Sequence, residues 1–213
     1  MTKSDSKGPV ESGSWPETLP ANVIKDGSSP RARGYDMIED IARHYDFAES
    51  VLVMLGAPPP TPDWGRAVNI ALVVLGITSV AEAPVHAATV ARRCGSPARV
   101  TLGIGMLGLA EQAQDWITRT KRIEDSESKQ SAEPTWSLLP ASVRAVLKDC
   151  PRSRQVLAFE ILSAAGLRTE TQLVAVFCLS RISSLASEVD AVRRGDLRDY
   201  PMRLPDFAYE DRE

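Results

Sequence analysis

Apolar residues recur every three or four positions along most of this 213-residue chain, and this spacing constrains its fold more than any other feature. It is the spacing of one helix face. It predicts helices over residues 36–55, 66–75, 83–94, 100–121, 142–148, 154–165 and 170–194. Gly56, Gly166 and Gly195 are placed to end helices. No segment alternates strongly enough to require a sheet, so the predicted fold class is all-α.

Composition divides the chain into segments. The first 33 residues are rich in Ser, Gly, Pro and charge, and Trp15 is the one large aromatic residue among them, which favours docking onto its own or a sister subunit. A second polar stretch, residues 122–135, has no large apolar residue after Ile123, as expected of a solvated linker. We therefore predict a flexible or partner-docking arm at 1–33, a helical core at 34–121, a linker at 122–135, C-terminal helices of the same domain at 136–200 and a tail at 201–213.

Charge, cysteine content and hydropathy argue against several classes of partner and site. With 25 Lys and Arg against 28 Asp and Glu, the sequence gives no general electrostatic reason to expect nucleic acid or an anionic membrane. Cys94, Cys150 and Cys178 are far apart and odd in number, so we predict neither a disulfide framework nor a metal site. The start of the chain lacks a signal-sequence core, and the apolar run 70–77 is too short to cross a bilayer. We expect a cytoplasmic protein.

Three glycines match the spacing of a dinucleotide-binding turn: Gly103, Gly105 and Gly108. Such a turn follows a buried strand and opens a helix, whereas these glycines lie within an apolar helical pattern. The spacing instead favours a flat helix face that another helix can approach closely. We expect that face in the core or at a dimer seam.

Three strings carry a family resemblance: RGYDMIEDIARHYDFAESVLVMLGAPPPTPDW, EAPVHAATVARRCGSPARVTLGIGMLGL and ILSAAGLRTETQLVAVFCLSRISSLASEVDAV. These strings contain, in order, an RGYD opening, a helix ending in FAE and Leu-Gly, a Pro-rich turn, a glycine-rich helix and a late helix pair. That order resembles the citrate synthase and citryl-CoA lyase family. The similarity covers most of residues 31–194 outside the linker. It implies a shortened, citrate synthase-like helical domain with irregular N- and C-terminal arms. It also implies a dimer, because sites in this family are completed across the subunit seam.

The side chains that perform this family's chemistry are missing from the matching positions. The glycine-rich helix should lead into a histidine that polarises the thioester carbonyl, but Leu109 is followed by AEQAQDW. The second histidine of the family would fall in the linker, which has none. The family's aspartate base corresponds by position to Gln155, and an amide cannot take up a proton in that role.

A few polar residues remain as candidate site residues. Arg181 in LSRISS resembles the arginine that clamps a substrate carboxylate, a task suited to its planar donors. The alternative is a structural pair with Glu188 or another acid. His86 is either a structural histidine or a relocated catalytic one, and Glu111 or Glu82 could act as an acid or base if a site raised its pKa.

Three functions stay open at this stage. The first is a non-catalytic subunit, a pseudoenzyme, that forms a homodimer or a heteromer with an intact citrate synthase-like relative in a complex acting on CoA thioesters and di- or tricarboxylates. The second is an active, citryl-CoA lyase-like C–C lyase or synthase with rearranged catalytic groups. The third is a module that senses a carboxylate or an acyl-CoA without turnover. No resident cofactor is predicted, since a CoA thioester would be a substrate or ligand.

Overall fold

A computed structural model describes residues 23–24, 30–120, 131–150 and 153–192, with Ile24 and Thr120 as backbone only. These residues form β1 (Val23–Ile24), β2 (Arg31–Ala32), β3 (Tyr35–Asp36), a π-helical segment (Met37–Ala42), α1 (Phe47–Met54), α2 (Pro62–Leu75), α3 (Ala83–Arg93), α4 (Ala98–Thr120), α5 (Glu133–Trp136), α6 (Ala141–Leu147), α7 (Arg154–Ala164) and α8 (Glu170–Ala191). The all-α prediction is confirmed. Trp15 and Gly195, together with most of the predicted arm and linker and the whole predicted tail, lie outside the described residues.

The chain forms two compact units, each drawn from two separate stretches of sequence. Unit 1 comprises residues 1–75 and 117–176, and unit 2 comprises residues 76–116 and 177–213. The boundaries at 116/117 and 176/177 fall inside α4 and α8. The units therefore alternate along the chain, and the predicted linker at 122–135 lies within the sequence of unit 1.

The RGYD opening forms a tight turn in unit 1. Arg33 (φ 55°) and Gly34 (φ 88°) reverse the chain between β2 and β3, which pair antiparallel, and β1 pairs antiparallel with β2. One carboxylate oxygen of Asp36 then accepts hydrogen bonds from the backbone N–H groups of Ile38 and Glu39 at 2.8 and 2.9 Å, so Asp36 caps the π-helical segment. The sequence did not predict this sheet, because two-residue strands are too short to produce an alternating pattern.

The predicted helix over 36–55 is divided into two segments, which corrects the sequence analysis. Asp46 is the N-cap of α1: its carboxylate accepts from the Glu49 amide at 2.8 Å, and the Glu49 carboxylate accepts from the Asp46 amide at 3.0 Å. This reciprocal capping box begins a new helix at Phe47. Apolar spacing alone could not locate the break, since Ile41 and Ala48 on either side of it are both buried.

Unit 1 is built around α2, which packs against α1, α6 and α7, while α7 also packs against α5 and α6. Its fully buried apolar side chains include Leu52, Val68, Leu75, Leu157, Ile161 and Leu162. Gly56 (φ 87°) follows the end of α1 and Gly166 (φ 109°) follows the end of α7, as predicted. The Gln172 side chain donates a hydrogen bond to the Leu55 carbonyl at 2.7 Å, which satisfies an acceptor at the end of α1.

Unit 2 contains α3, most of α4 and most of α8. By length and composition alone, α8 could cross a membrane, a property that the core helices of soluble proteins share. We describe α8 as a core helix because Arg181, Leu185 and Val189 are buried along it. The Ser184 hydroxyl donates to the Gly76 carbonyl at 2.7 Å and fixes the start of the unit to α8.

Candidate functional site

The buried side chain of Arg181 lies at the centre of a polar cluster in unit 2. Arg181 is 3% exposed. Its Nη1 donates to Glu82 Oε2 at 2.5 Å and to Gln112 Oε1 at 3.1 Å. Gln112 Nε2 donates to the same Glu82 oxygen at 2.7 Å. The three side chains therefore close a ring of hydrogen bonds in which one carboxylate oxygen receives two donors.

Two aromatic rings complete what we term the Arg181 cluster: Arg181, Glu82, Gln112, Trp116 and Phe177. The guanidinium carbon lies 4.8 Å from the Trp116 ring centroid and 4.4 Å from that of Phe177. The two rings meet edge to face at 5.4 Å and 67°. Such cation–π contacts strengthen when the cation is desolvated. Gln112 and Trp116 lie four residues apart on α4, and Phe177 and Arg181 lie four residues apart on α8. The two side chains of each pair are therefore neighbours on one face of their helix.

Glu82 lies on the solvent side of the pair. Its side chain is 27% exposed, against 4% for that of Arg181. It precedes α3 in the N-cap position, yet its carboxylate caps no helix amide and instead contacts Arg181. Glu82 Oε1 also accepts from the Ser79 amide at 3.2 Å. A buried guanidinium needs an anion nearby, and the protein supplies one from its own sequence.

The other predicted site residues lie in different settings. His86 and Glu111 are exposed, and Glu188 is half-buried. Gln155 lies in unit 1 near the start of α7, where its Oε1 accepts from the Ser153 hydroxyl at 2.8 Å. Glu82 is thus an acid that pairs with Arg181. His86 and Glu111, the two catalytic candidates, lie at the surface and outside the group of side chains around Arg181.

The three glycines all lie within α4, as the helical pattern predicted. A Cβ at Gly105 would be 2.6 Å from Leu185 Cδ2, and one at Gly108 would be 3.0 Å from Pro84 Cα, whereas one at Gly103 would meet nothing within 4 Å. Gly105 and Gly108 therefore serve close packing inside unit 2. Gly103 belongs to another set, the α4 outer face, which we define as the exposed residues Val100, Gly103, Ile104 and Leu107.

Cysteines and metal ligands add little to the site. Within residues 23–24, 30–120, 131–150 and 153–192, no three His, Cys, Asp or Glu side chains are grouped to hold a metal ion. Burial raises the pKa of the Cys178 thiol, and burial with a hydrogen bond to Glu133 raises the pKa of Cys150. A raised pKa lowers the thiolate fraction, so both thiols are poor nucleophiles.

Comparisons with solved structures identify the fold. The chain matches ATP citrate lyase from Methanothrix soehngenii, solved with citrate and coenzyme A, at a TM-score of 0.55 and 13% identity, over 90% of this chain and 42% of that one. A mutant ATP citrate lyase from Methanosaeta concilii, solved with (3S)-citryl-CoA, matches at 0.54 and 12% identity over the same shares. Citryl-CoA lyase from Hydrogenobacter thermophilus matches at 0.46 and 16% identity, over 89% of this chain and 98% of that one.

These likenesses are at the level of the fold. No protein-family model matches the sequence, and no curated protein matches it. This chain spans about two fifths of the two ATP citrate lyase chains. The fold predicted from the resemblance is confirmed.

We expect the Glu82→Gln variant to lose about 2–3 kcal/mol in its free energy of unfolding, because the buried guanidinium loses its counter-charge while the side-chain shape is kept. Urea denaturation measures this loss. The matched control is Glu111→Gln, an exposed position next to Gln112, which should change the same quantity by less than about 0.5 kcal/mol. Equal losses in the two variants would show that Glu82 does not stabilise Arg181.

Proposed function

We propose that this chain, which has the fold of the matched part of ATP citrate lyase, is a non-catalytic citrate synthase-like or citryl-CoA lyase-like protein. In this proposal it acts as a subunit or partner in a complex that works on CoA thioesters and di- or tricarboxylates. The ligands solved with the two ATP citrate lyases, citrate with coenzyme A and (3S)-citryl-CoA, support that ligand class. The observation that carries the proposal is the pairing of Arg181 with an internal carboxylate.

Arg181 is the residue that the family resemblance assigns to a substrate carboxylate. In this chain its Nη1 donates to Glu82 and Gln112, and two aromatic rings pack against the guanidinium. At 3% exposure the guanidinium is shielded from solvent. Both hydrogens of Nη1 are used by Glu82 and Gln112, so an incoming carboxylate that used Nη1 would have to displace Glu82 and leave that carboxylate without its partner. The arrangement favours a structural role for Arg181 over substrate binding.

The candidate acids and bases also favour a non-catalytic role. Proton transfer at a CoA thioester needs a base of tuned pKa and donors aimed at the developing enolate oxygen. His86 and Glu111 are exposed, and the position of the family's base is an amide, Gln155. This loss of several catalytic groups in a chain with the family's fold supports a non-catalytic role.

The α4 outer face supports a role in assembly. Val100, Ile104 and Leu107 are 44%, 38% and 67% exposed, and they recur at the three- and four-residue spacing of a single helix face. Gly103 lies between them with open space beside it, so a partner helix could approach the backbone closely. We propose that this face contacts either a second copy of the chain or an intact relative.

We predict that the purified chain releases no CoA from citryl-CoA, and forms none from acetyl-CoA and an oxo-acid, above the level of a protein-free blank. A thiol reagent that detects free CoA makes the measurement. His86→Ala and Arg181→Ala variants should be equally inactive. Turnover by the wild-type chain that disappears in the His86→Ala variant would overturn the proposal and support an active lyase.

We expect Leu107→Glu to prevent assembly, because it places a charge at the most exposed apolar residue of the α4 outer face. Size-exclusion chromatography with light scattering should give a dimer for the wild-type chain, or a complex when an intact relative is added, and a monomer for the variant. Val146→Glu is the matched control, since Val146 is a 57% exposed apolar residue on α6 in unit 1. The proposed contact would be contradicted if the wild-type chain stayed monomeric both alone and with the relative, or if both variants disrupted assembly equally.

A further inference from the structure

Unit 2 contains a cavity of about 440 Å³ that is open to solvent and shares no residue with the Arg181 cluster. The end of α3, the start of α4 and the last turns of α8 form its walls. The lining residues that matter here are Arg92, Leu102, Ser183, Ser187, Val189 and Asp190. A cavity of this volume is within the range of small-molecule sites.

Arg92, Ser183 and Ser187 place hydrogen-bond donors along the wall of this cavity. Arg92 Nε is buried and has no hydrogen-bond partner, and Arg92 Nη1 reaches only the Ser96 carbonyl at 3.5 Å. Within the described part of the chain, no hydrogen bond is found for the hydroxyls of Ser183 and Ser187, which lie four residues apart on α8. By contrast, the neighbouring Ser184 donates to the Gly76 carbonyl. Ser183 and Ser187 are exposed to solvent, but an unpaired buried N–H such as Arg92 Nε–H is costly, so this wall suits a ligand that brings an acceptor to Arg92.

Among the described residues, no ion pair is found for Arg92. Arg181 is neutralised by Glu82, but in the described residues no ion pair joins Arg92 to Asp190, although both line the cavity. Leu102 and Val189 add apolar surface beside these donors. A guanidinium with two hydroxyls recognises a carboxylate, and the apolar wall recognises a short hydrocarbon chain.

Asp190 sets a limit on the ligand's charge. It is exposed, so solvent weakens but does not abolish its repulsion of a carboxylate bound to Arg92, and each further negative charge on the ligand adds to that repulsion. A second or third negative charge on the ligand would lie in the same small cavity as the Asp190 carboxylate. We propose that this cavity binds a short-chain organic acid with one carboxylate, which is a different ligand class from the di- and tricarboxylates of the proposed function. The two sites share no residue.

Calorimetric titration of the full chain with hexanoate tests the inference. We expect saturable binding, weakened about tenfold or more in Arg92→Gln, because a charge-assisted hydrogen bond is lost. The matched control is Arg99→Gln, which removes an exposed charge. Arg99 does not line the cavity, although its neighbour Ala98 does, so this variant should change affinity by less than about twofold. Ala186 also lines the cavity. Ala186→Leu should therefore fill it and abolish binding, and Asp190→Asn should strengthen binding.

Several results would overturn the inference. They are no saturable hexanoate binding up to about 10 mM, equal binding of the neutral analogue hexanamide, or equal weakening by Arg92→Gln and Arg99→Gln. Stronger binding of citrate than of hexanoate would also overturn it. Each variant is checked by thermal unfolding, and Ala186→Leu provides a second test if Arg92→Gln fails to fold. None of these outcomes depends on whether the chain is catalytic.

Discussion

A guanidinium removed from water must have a counter-charge within hydrogen-bond distance, and in this protein Glu82 supplies it to Arg181. That pairing ties together three helices of unit 2. Glu82 immediately precedes α3, Gln112 and Trp116 belong to α4, and Arg181 belongs to α8. The same contact that stabilises these helices also occupies Nη1 of Arg181, which under the proposed function is a donor that a substrate carboxylate would need. The proposed non-catalytic role and the packing of these helices therefore depend on the same contact.

Periodicity predicted most of the helices because each buries one face, and the ends of α2, α3, α7 and α8 lie within a few residues of the predicted ones. It failed where a local hydrogen bond decides the structure. The capping box of Asp46 and Glu49 starts a new helix inside a continuous apolar pattern. It also failed where tertiary pairing decides: Glu82 and Arg181 are 99 residues apart, and no sequence pattern specifies that these two side chains meet.

The three glycines of α4 belong to one sequence motif but have different surroundings in the structure. Gly105 and Gly108 are required by contacts inside unit 2, with Leu185 and Pro84, whereas Gly103 faces open space among exposed apolar residues. One motif thus contains two roles, internal packing and a proposed contact surface. The cavity lined by Arg92 had no sequence signal, because its serines and arginine come from helices that are distant in sequence.

Side-chain NMR of Arg181 during a citrate titration tests the central claim most directly. The Arg181 Nε–H resonance is assigned from its absence in Arg181→Lys. In the wild-type chain it should not move with citrate at millimolar concentration, because Glu82 already pairs with the guanidinium, whereas in Glu82→Ala it should shift and saturate as citrate takes the vacated position. A saturable shift in the wild-type chain would contradict the account, since it would show that a substrate-like carboxylate reaches Arg181 with Glu82 in place.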